Sequence, residues 1–206
     1  MNLGGLGVYS KLRNSIKPTY EPVSYWNKRG RCYINEVVPN NNKQIQKIIT
    51  YLKTITFDSV LEIGCGYGRL TKEIINTFKT PDYTAIDLSM VQILNAKKYV
   101  NNYKINFINS SLGDYDSDKK YDLVFACEVF LHIPPKELRN FIVKAINYSK
   151  KHLIHIDPLF VNPINFSNKT HDFRHDYDKI YANFIAYKLN ITPILNQGIF
   201  HLTQIG

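Results

Sequence analysis

Val60-Leu61-Glu62-Ile63-Gly64-Cys65-Gly66-Tyr67-Gly68-Arg69-Leu70 is the stretch on which the fold of this chain turns. Ser59 to Ile63 reads as a short buried strand, and glycines follow it at once. Leu70, Ile74 and Phe78 then recur at the spacing of a helix face. Glycines at 64, 66 and 68 let the backbone turn sharply and approach a ligand closely, where a Cβ would collide. The helix beyond them opens with unpaired N–H groups and a partial positive charge. A second strand, Tyr83 to Ile86, runs into Asp87. An acid about 20 residues beyond such a turn is placed to accept both hydroxyl hydrogens of a ribose.

The alternation extends in both directions from this unit. Upstream, Ile45, Ile48, Ile49 and Leu52 form an apolar helical stripe, and Asn40-Asn41-Asn42 before it are capping residues. Downstream, Ser89 caps a helix through Tyr99, Ile105 to Ile108 is a strand, and Leu123 to Cys127 is a strongly apolar one. Pro134 and Pro135 suit the first turn of a helix that buries Leu138, Phe141, Ile142 and Ala145. Leu153 to Ile156 is a further strand, and Tyr177, Ile180, Tyr181 and Phe184 mark another helix. Ile191 to Leu195 and Ile199 to Ile205 flank the turn Asn196-Gln197-Gly198 as an antiparallel hairpin. Such a pattern predicts an α/β sandwich whose sheet is parallel except at one edge. Residues 1–36 are aromatic and turn-rich without a clear period, and read as an N-terminal extension or lid on a single domain, 37–206.

Glycine spacing discriminates between cofactors. Dinucleotide-binding turns favour G-x-G-x-x-G, with the helix dipole held against a pyrophosphate. Here the pattern is G-x-G-x-G, preceded by the acidic Glu62. An acid at that point repels a pyrophosphate but suits the ammonium of S-adenosylmethionine (SAM), which carries no phosphate. A nicotinamide-linked oxidoreductase is thereby disfavoured. A tight turn with no ligand is the plainer alternative, and the order strand, turn, helix, strand, acid argues against it.

Glu62-Ile63-Gly64-Cys65-Gly66-Tyr67-Gly68 closely resembles motif I of the class I SAM-dependent methyltransferases. Ala85-Ile86-Asp87-Leu88-Ser89 resembles the acidic segment that follows it, and Tyr121 to Ile133 the fourth strand with its exit loop. The resemblance runs from about residue 40 to the C-terminus. It implies a Rossmann-like three-layer α/β/α sandwich, with a mostly parallel seven-stranded sheet and a C-terminal antiparallel hairpin. By the same resemblance Gly64, Cys65, Gly66 and Gly68 line the methionine part of SAM, and Glu62 helps to hold its amino group. Asp87 takes the ribose hydroxyls, Leu88 packs on the adenine, and Glu128 and Val129 lie near the sulfonium. One position departs from the pattern. Where the family often has an aspartate for the adenine amino group, this chain has Ser111 followed by Leu112, and Asp114 serves only if the register shifts.

Methyl transfer from a sulfonium is an in-line displacement whose reactivity resides in the cofactor, leaving the protein to align the acceptor and, for a hydroxyl or protonated amine, to supply a base. His132, just beyond the fourth strand, is the expected base, with Glu128 as a second catalytic candidate. A plainer role for His132 is to bond a backbone carbonyl and hold its turn. Asp157, His171, His175 and Tyr177 follow the fifth strand and are expected to line the acceptor pocket, together with Tyr25 and Trp26 of the lid. The His and Asp residues there do not match the carboxylate pattern of metal-dependent relatives, so no metal is expected.

The remaining features narrow the partner. Loop 127–130 reads Cys-Glu-Val-Phe, without the Asn/Asp-Pro-Pro-aromatic signature of amino-directed DNA methyltransferases, and Cys127 lacks the preceding proline of cytosine C5 enzymes. A formal charge of +9 admits an anionic partner such as RNA, but its lysines and arginines are scattered and form no arm. The expectation is therefore a small-molecule O- or N-acceptor, with RNA, tRNA or protein as the alternative acceptor. A SAM-binding partner subunit without activity is the alternative of another class. Three distant cysteines, 32, 65 and 127, and no long apolar run suggest a cytoplasmic protein without disulfides or a membrane span; oligomeric state is not legible.

Overall fold

The computed structural model describes residues 20–33, 35, 42–79, 82–102, 104–159 and 171–204. Seven strands run in the chain order β1 (Ser59–Ile63), β2 (Asp82–Asp87), β3 (Ile105–Asn109), β4 (Tyr121–Cys127), β5 (Ser149–Pro158), β6 (Tyr187–Ile194) and β7 (Gln197–Gln204). They form one sheet in the spatial order β3-β2-β1-β4-β5-β7-β6. Pairing is parallel from β3 through β5, and antiparallel where β7 meets β5 and β6. The helices are α1 (Pro22–Gly30), α2 (Asn42–Leu52), α3 (Arg69–Phe78), α4 (Met90–Val100), α5 (Pro135–Tyr148) and α6 (Tyr177–Tyr181).

Alternate strand residues feed two cores, one on each face of the sheet. Val60, Leu123 and Phe125 pack with Ile48 and Leu52 of α2, Ile74 of α3 and Ile93 of α4. Leu61, Ile63, Val124 and Ala126 pack on the opposite face with Leu138 and Ile142 of α5 and Tyr177 and Tyr181 of α6. This is the expected three-layer sandwich. From β1 the chain builds outward through β2 and β3, then returns to add β4 on the other side of β1. In open α/β sheets ligands bind at that reversal, beyond the carboxyl ends of the strands.

Three local expectations are corrected. The hairpin turn is the two residues Leu195-Asn196, because β7 already begins at Gln197, paired with Ile194. The helix expected through Phe184 is the five-residue α6, since the Asn183 side chain donates to the carbonyls of Lys179 and Ile180 and closes it early. Within the extension lies a helix that periodicity does not reveal, α1, started by Pro22 in its first turn and by the Glu21 carboxylate on the Ser24 N–H. Ser89 does cap α4, accepting from the Gln92 N–H at 3.2 Å. Asn40 and Asn41 lie outside the described residues. Among the described residues no helix is long and apolar enough to cross a membrane.

Candidate active site

Gly64, Gly66 and Gly68 all adopt positive φ, at 68°, 55° and 85°. A Cβ on Gly64 would lie 2.5 Å from Val129 Cγ2, and one on Gly68 2.5 Å from Val100 Cγ2. These two glycines are therefore fixed by packing as well as by conformation. At Gly66 the nearest atom to a Cβ would be Gln92 Nε2, 3.9 Å away. That open space is the floor of a cavity of about 570 Å³ above the ends of β1, β2 and β4.

Asp87 stands at the end of β2, and its two oxygens accept the N–H groups of Gly66 and Ser89, each at 2.8 Å. Burial pushes its carboxyl up to about 6, against the pull of those two N–H groups. Glu62 is buried within β1, where its Oε2 accepts the hydroxyls of Thr71 (2.5 Å) and Tyr83 (2.8 Å). Burial raises it to about 7, with both hydroxyls opposing the shift. Two acids held in this way gain from a cationic ligand, because it restores the charged form that burial disfavours.

Leu88, Ser111 and Leu112 also line the cavity, as do Cys65 and Val129. The Ser111 hydroxyl donates to Asp114 Oδ2 at 2.6 Å and accepts the Asp114 N–H at 3.1 Å. Its proton is thus committed to Asp114, which leaves an acceptor lone pair. Glu128 leaves β4 with φ 59°, its N–H bonded to the Ile156 carbonyl and its Oε1 accepting Gln197 Nε2. The cavity has unmet hydrogen-bonding capacity. Tyr67 Oη and Gln92 Oε1 belong to its lining, are buried and find no partner. An orphaned polar atom is costly unless a ligand pairs it, so the residues present fit a polar occupant.

Another wall of the cavity begins at the short 3-10 helix Phe130–His132. His132 Nδ1 lies 2.8 Å from the carbonyl oxygen of His171 and 3.3 Å from Asp172 Oδ1. A carbonyl only accepts, so Nδ1 carries the proton and Nε2 of the neutral ring is the basic nitrogen. The two roles foreseen for His132, holding a turn and serving as base, are compatible in one tautomer. Trp26 of α1 stands edge-on to the His132 ring at 4.9 Å and donates its indole N–H to Tyr20. Tyr33 completes this side, its phenol pushed up to about 12 by burial and next by Glu128.

Helix α1 lends Pro22 and Trp26 to the lining and is tied down on both sides. Asn27 Oδ1 accepts the Ser89 hydroxyl, Asn95 donates to the Gly30 carbonyl, and the Tyr25 hydroxyl meets His171 Nε2 at 2.9 Å.

Not every expected acceptor residue reaches the cavity. Trp26 and His132 line it; Tyr25, Asp157, His171, His175 and Tyr177 are absent from the described residues that do. Tyr25 and His171 are engaged with each other. Asp157, fully buried, accepts the Leu131 N–H and faces His155 Nδ1 at 2.7 Å. His155 lies stacked between Phe130 and Phe200 and reaches Tyr181 Oη through Nε2. His175 meets the Phe130 carbonyl, and Tyr177 packs on the same rings. These groups brace the 130–132 turn from behind. Ring nitrogens of His132 and His171 and a carboxylate oxygen of Asp172 come within 4.8 Å of one another, a cluster the sequence spacing did not reveal. Each of those nitrogens already faces a carbonyl or a phenol. Sequence reading also missed Arg69, Gln92 and Tyr33 on the lining, and Gln44 and Gln197 behind it. Only Arg69 carried a signal, as the residue after the last glycine of the turn.

Residues 60–152 match the family model described as a methyltransferase domain. The ubiquinone biosynthesis O-methyltransferase of Rickettsia bellii is 30% identical over 131 residues, 62% of this chain and 53% of the relative. A malonyl-[acyl-carrier protein] O-methyltransferase of Ilyobacter polytropus is 35% identical over 80 residues, 38% of this chain and 31% of the relative. The chain thus spans about half the length of the first of these, at 53%. Among solved structures, the DhpI–SAH complex superposes with a TM-score of 0.72 at 17% identity, covering 89% of this chain and 95% of that one. Residues 60–152 thus carry the match to a methyltransferase domain, and the sheet order around them is that of the Rossmann-like methyltransferase fold.

Proposed function

We propose that the chain binds SAM and transfers its methyl group to an oxygen or nitrogen of a small-molecule acceptor, with His132 as general base. The observation that carries this reading is a single cavity lined by the Gly64–Gly68 turn with Asp87 and by His132. When bound, SAM supplies an electrophilic methyl group on a sulfonium, so the chain's own residues need only bind, orient and deprotonate. Asp87 holds the ribose, Leu88 and Leu112 flank the adenine, and Ser111 offers an acceptor to its amino group. Glu62 and Glu128 face the cationic end. The Trp26 lid excludes water and presses the acceptor toward His132, whose Nδ1–H is pinned by the His171 carbonyl. The names of the relatives, both O-methyltransferases, favour an oxygen over a nitrogen. A nine-residue helix closing the mouth suits a compact acceptor better than a polymer.

Calorimetric titration with SAM and with its product, S-adenosylhomocysteine (SAH), tests the cofactor. Saturable binding that weakens sharply in Asp87→Ala is expected; well-folded protein that binds neither ligand refutes the reading. Methyl transfer to a panel of phenols, carboxylates, amines and tRNA then tests the acceptor, and transfer to tRNA alone overturns the small-molecule assignment.

A further inference from the structure

Arg69 and Glu128 both line the cavity, yet no salt bridge joins them among the described residues. Between them runs a chain of side-chain hydrogen bonds. Arg69 Nη1 donates to Gln44 Oε1 (2.9 Å), Gln44 Nε2 donates to Gln197 Oε1 (2.6 Å), and Gln197 Nε2 donates to Glu128 Oε1 (2.7 Å). A guanidinium can only donate and a carboxylate can only accept, so the two ends fix the orientation of both amides. Both glutamines are buried, 5% and 6% exposed. They come from α2 and from the first residue of β7, 153 positions apart and both outside the matched segment 60–152.

An arginine and a glutamate facing one cavity gain most by pairing directly. Here two neutral amides behind the lining link them by hydrogen bonds and satisfy one group on each. The guanidinium keeps most of its donors and the carboxylate keeps Oε2 for another partner. A cation and an anion held apart on one wall match a zwitterion. We propose that Gln44 and Gln197 are positioning residues that hold Arg69 and Glu128 as separate sites for the α-carboxylate and the α-ammonium of the amino-acid end of SAM. This rests on the cofactor reading given above.

The test compares SAH with 5′-methylthioadenosine, which keeps the adenosine and the thioether but lacks the α-amino and carboxylate groups. Calorimetry on Gln197→Leu is expected to show SAH affinity down by about tenfold, the scale of one hydrogen bond to a charged group, with methylthioadenosine within about twofold of wild type. Gln44→Leu should behave alike. Gln197→Glu keeps the volume but sets a carboxylate against Glu128. Its SAH affinity relative to wild type should fall at pH 8 and recover near pH 5.5, where a shared proton restores the donor. Glu62 and Asp87 titrate in the same cavity in both proteins and cancel in that ratio. Equal weakening of the two ligands, or no weakening of either, overturns the proposal while leaving the cofactor reading intact. Wild-type protein that binds neither ligand fails the cofactor reading, and the positioning assignment falls with it.

Discussion

The floor of the cavity and its walls differ in how far apart their residues lie in the chain. The floor is one βαβ unit: the glycine turn, Asp87 and Ser89 fall within residues 64–89, and their key bonds are backbone N–H groups on a carboxylate. The wall is assembled from α1 and the 130–132 turn, with residues 171–172 and β7 bracing the lining from behind. It is held by contacts such as Tyr25 to His171, 146 positions apart, and Gln197 to Glu128, 69 apart. Local geometry fixes the first; tertiary packing fixes the second. A floor of that kind is built alike for any acceptor, whereas the wall changes with every substitution in its separate segments.

The sharpest way to break the comparison is to damage the floor. Gly64→Ala introduces a Cβ at positive φ, 2.5 Å from Val129 Cγ2, and binding of SAH should fall by about 100-fold or more with loss of a few kcal/mol of stability. Calorimetry and thermal melts check both. Next, His132→Ala should lower kcat by roughly 10²–10⁴ for a hydroxyl acceptor while SAH affinity stays within about twofold. Equal loss of both would show that floor and wall are not separable.

The third effect concerns pH. Glu62 rises from 4.5 to about 7 on folding, so the stability it contributes is present in acid and is lost as pH climbs through that value. Melting of wild type against Glu62→Gln should therefore show wild type losing ground between about pH 5 and 7.5, by about 2–3 kcal/mol at most. His155 and His175 are pushed down by burial and act in the opposite sense, but they are common to both proteins. Saturating SAH should flatten the slope. The smallest effect is expected from Tyr25→Phe, which removes the bond from α1 to His171. The acceptor KM should rise a few-fold, consistent with about 1 kcal/mol, with kcat little changed.

What the sequence made legible follows the same division. The strands, α2 to α5, the Ser89 cap and the floor could be read because each announces itself within about a dozen residues, through period, glycine spacing or a capping side chain. Helix α1 could not, since it packs by its ends and by single bonds from Asn27 and Tyr25, and leaves Val23 half exposed where an apolar stripe would be sought. Asp157, His175 and Tyr177 look like pocket residues in one dimension because they are polar and follow a strand. All three are buried, Tyr177 against Tyr181 and Phe200, and nothing local to residues 157–177 says so. The two glutamines carry no pattern at all.

The position of β7 has a consequence for how the chain acquires its shape. The strand latest in sequence is wedged between β5 and β6, with Ile199, Phe200 and Leu202 at most 3% exposed. On a ribosome, the edge of β5 must therefore wait bare until residue 204 has emerged, a template for any passing strand. Only when β7 slides in does Gln197 reach Glu128. The same late event that seals the sheet thus finishes the cavity, and a nascent chain stalled before it has a floor but only part of a wall.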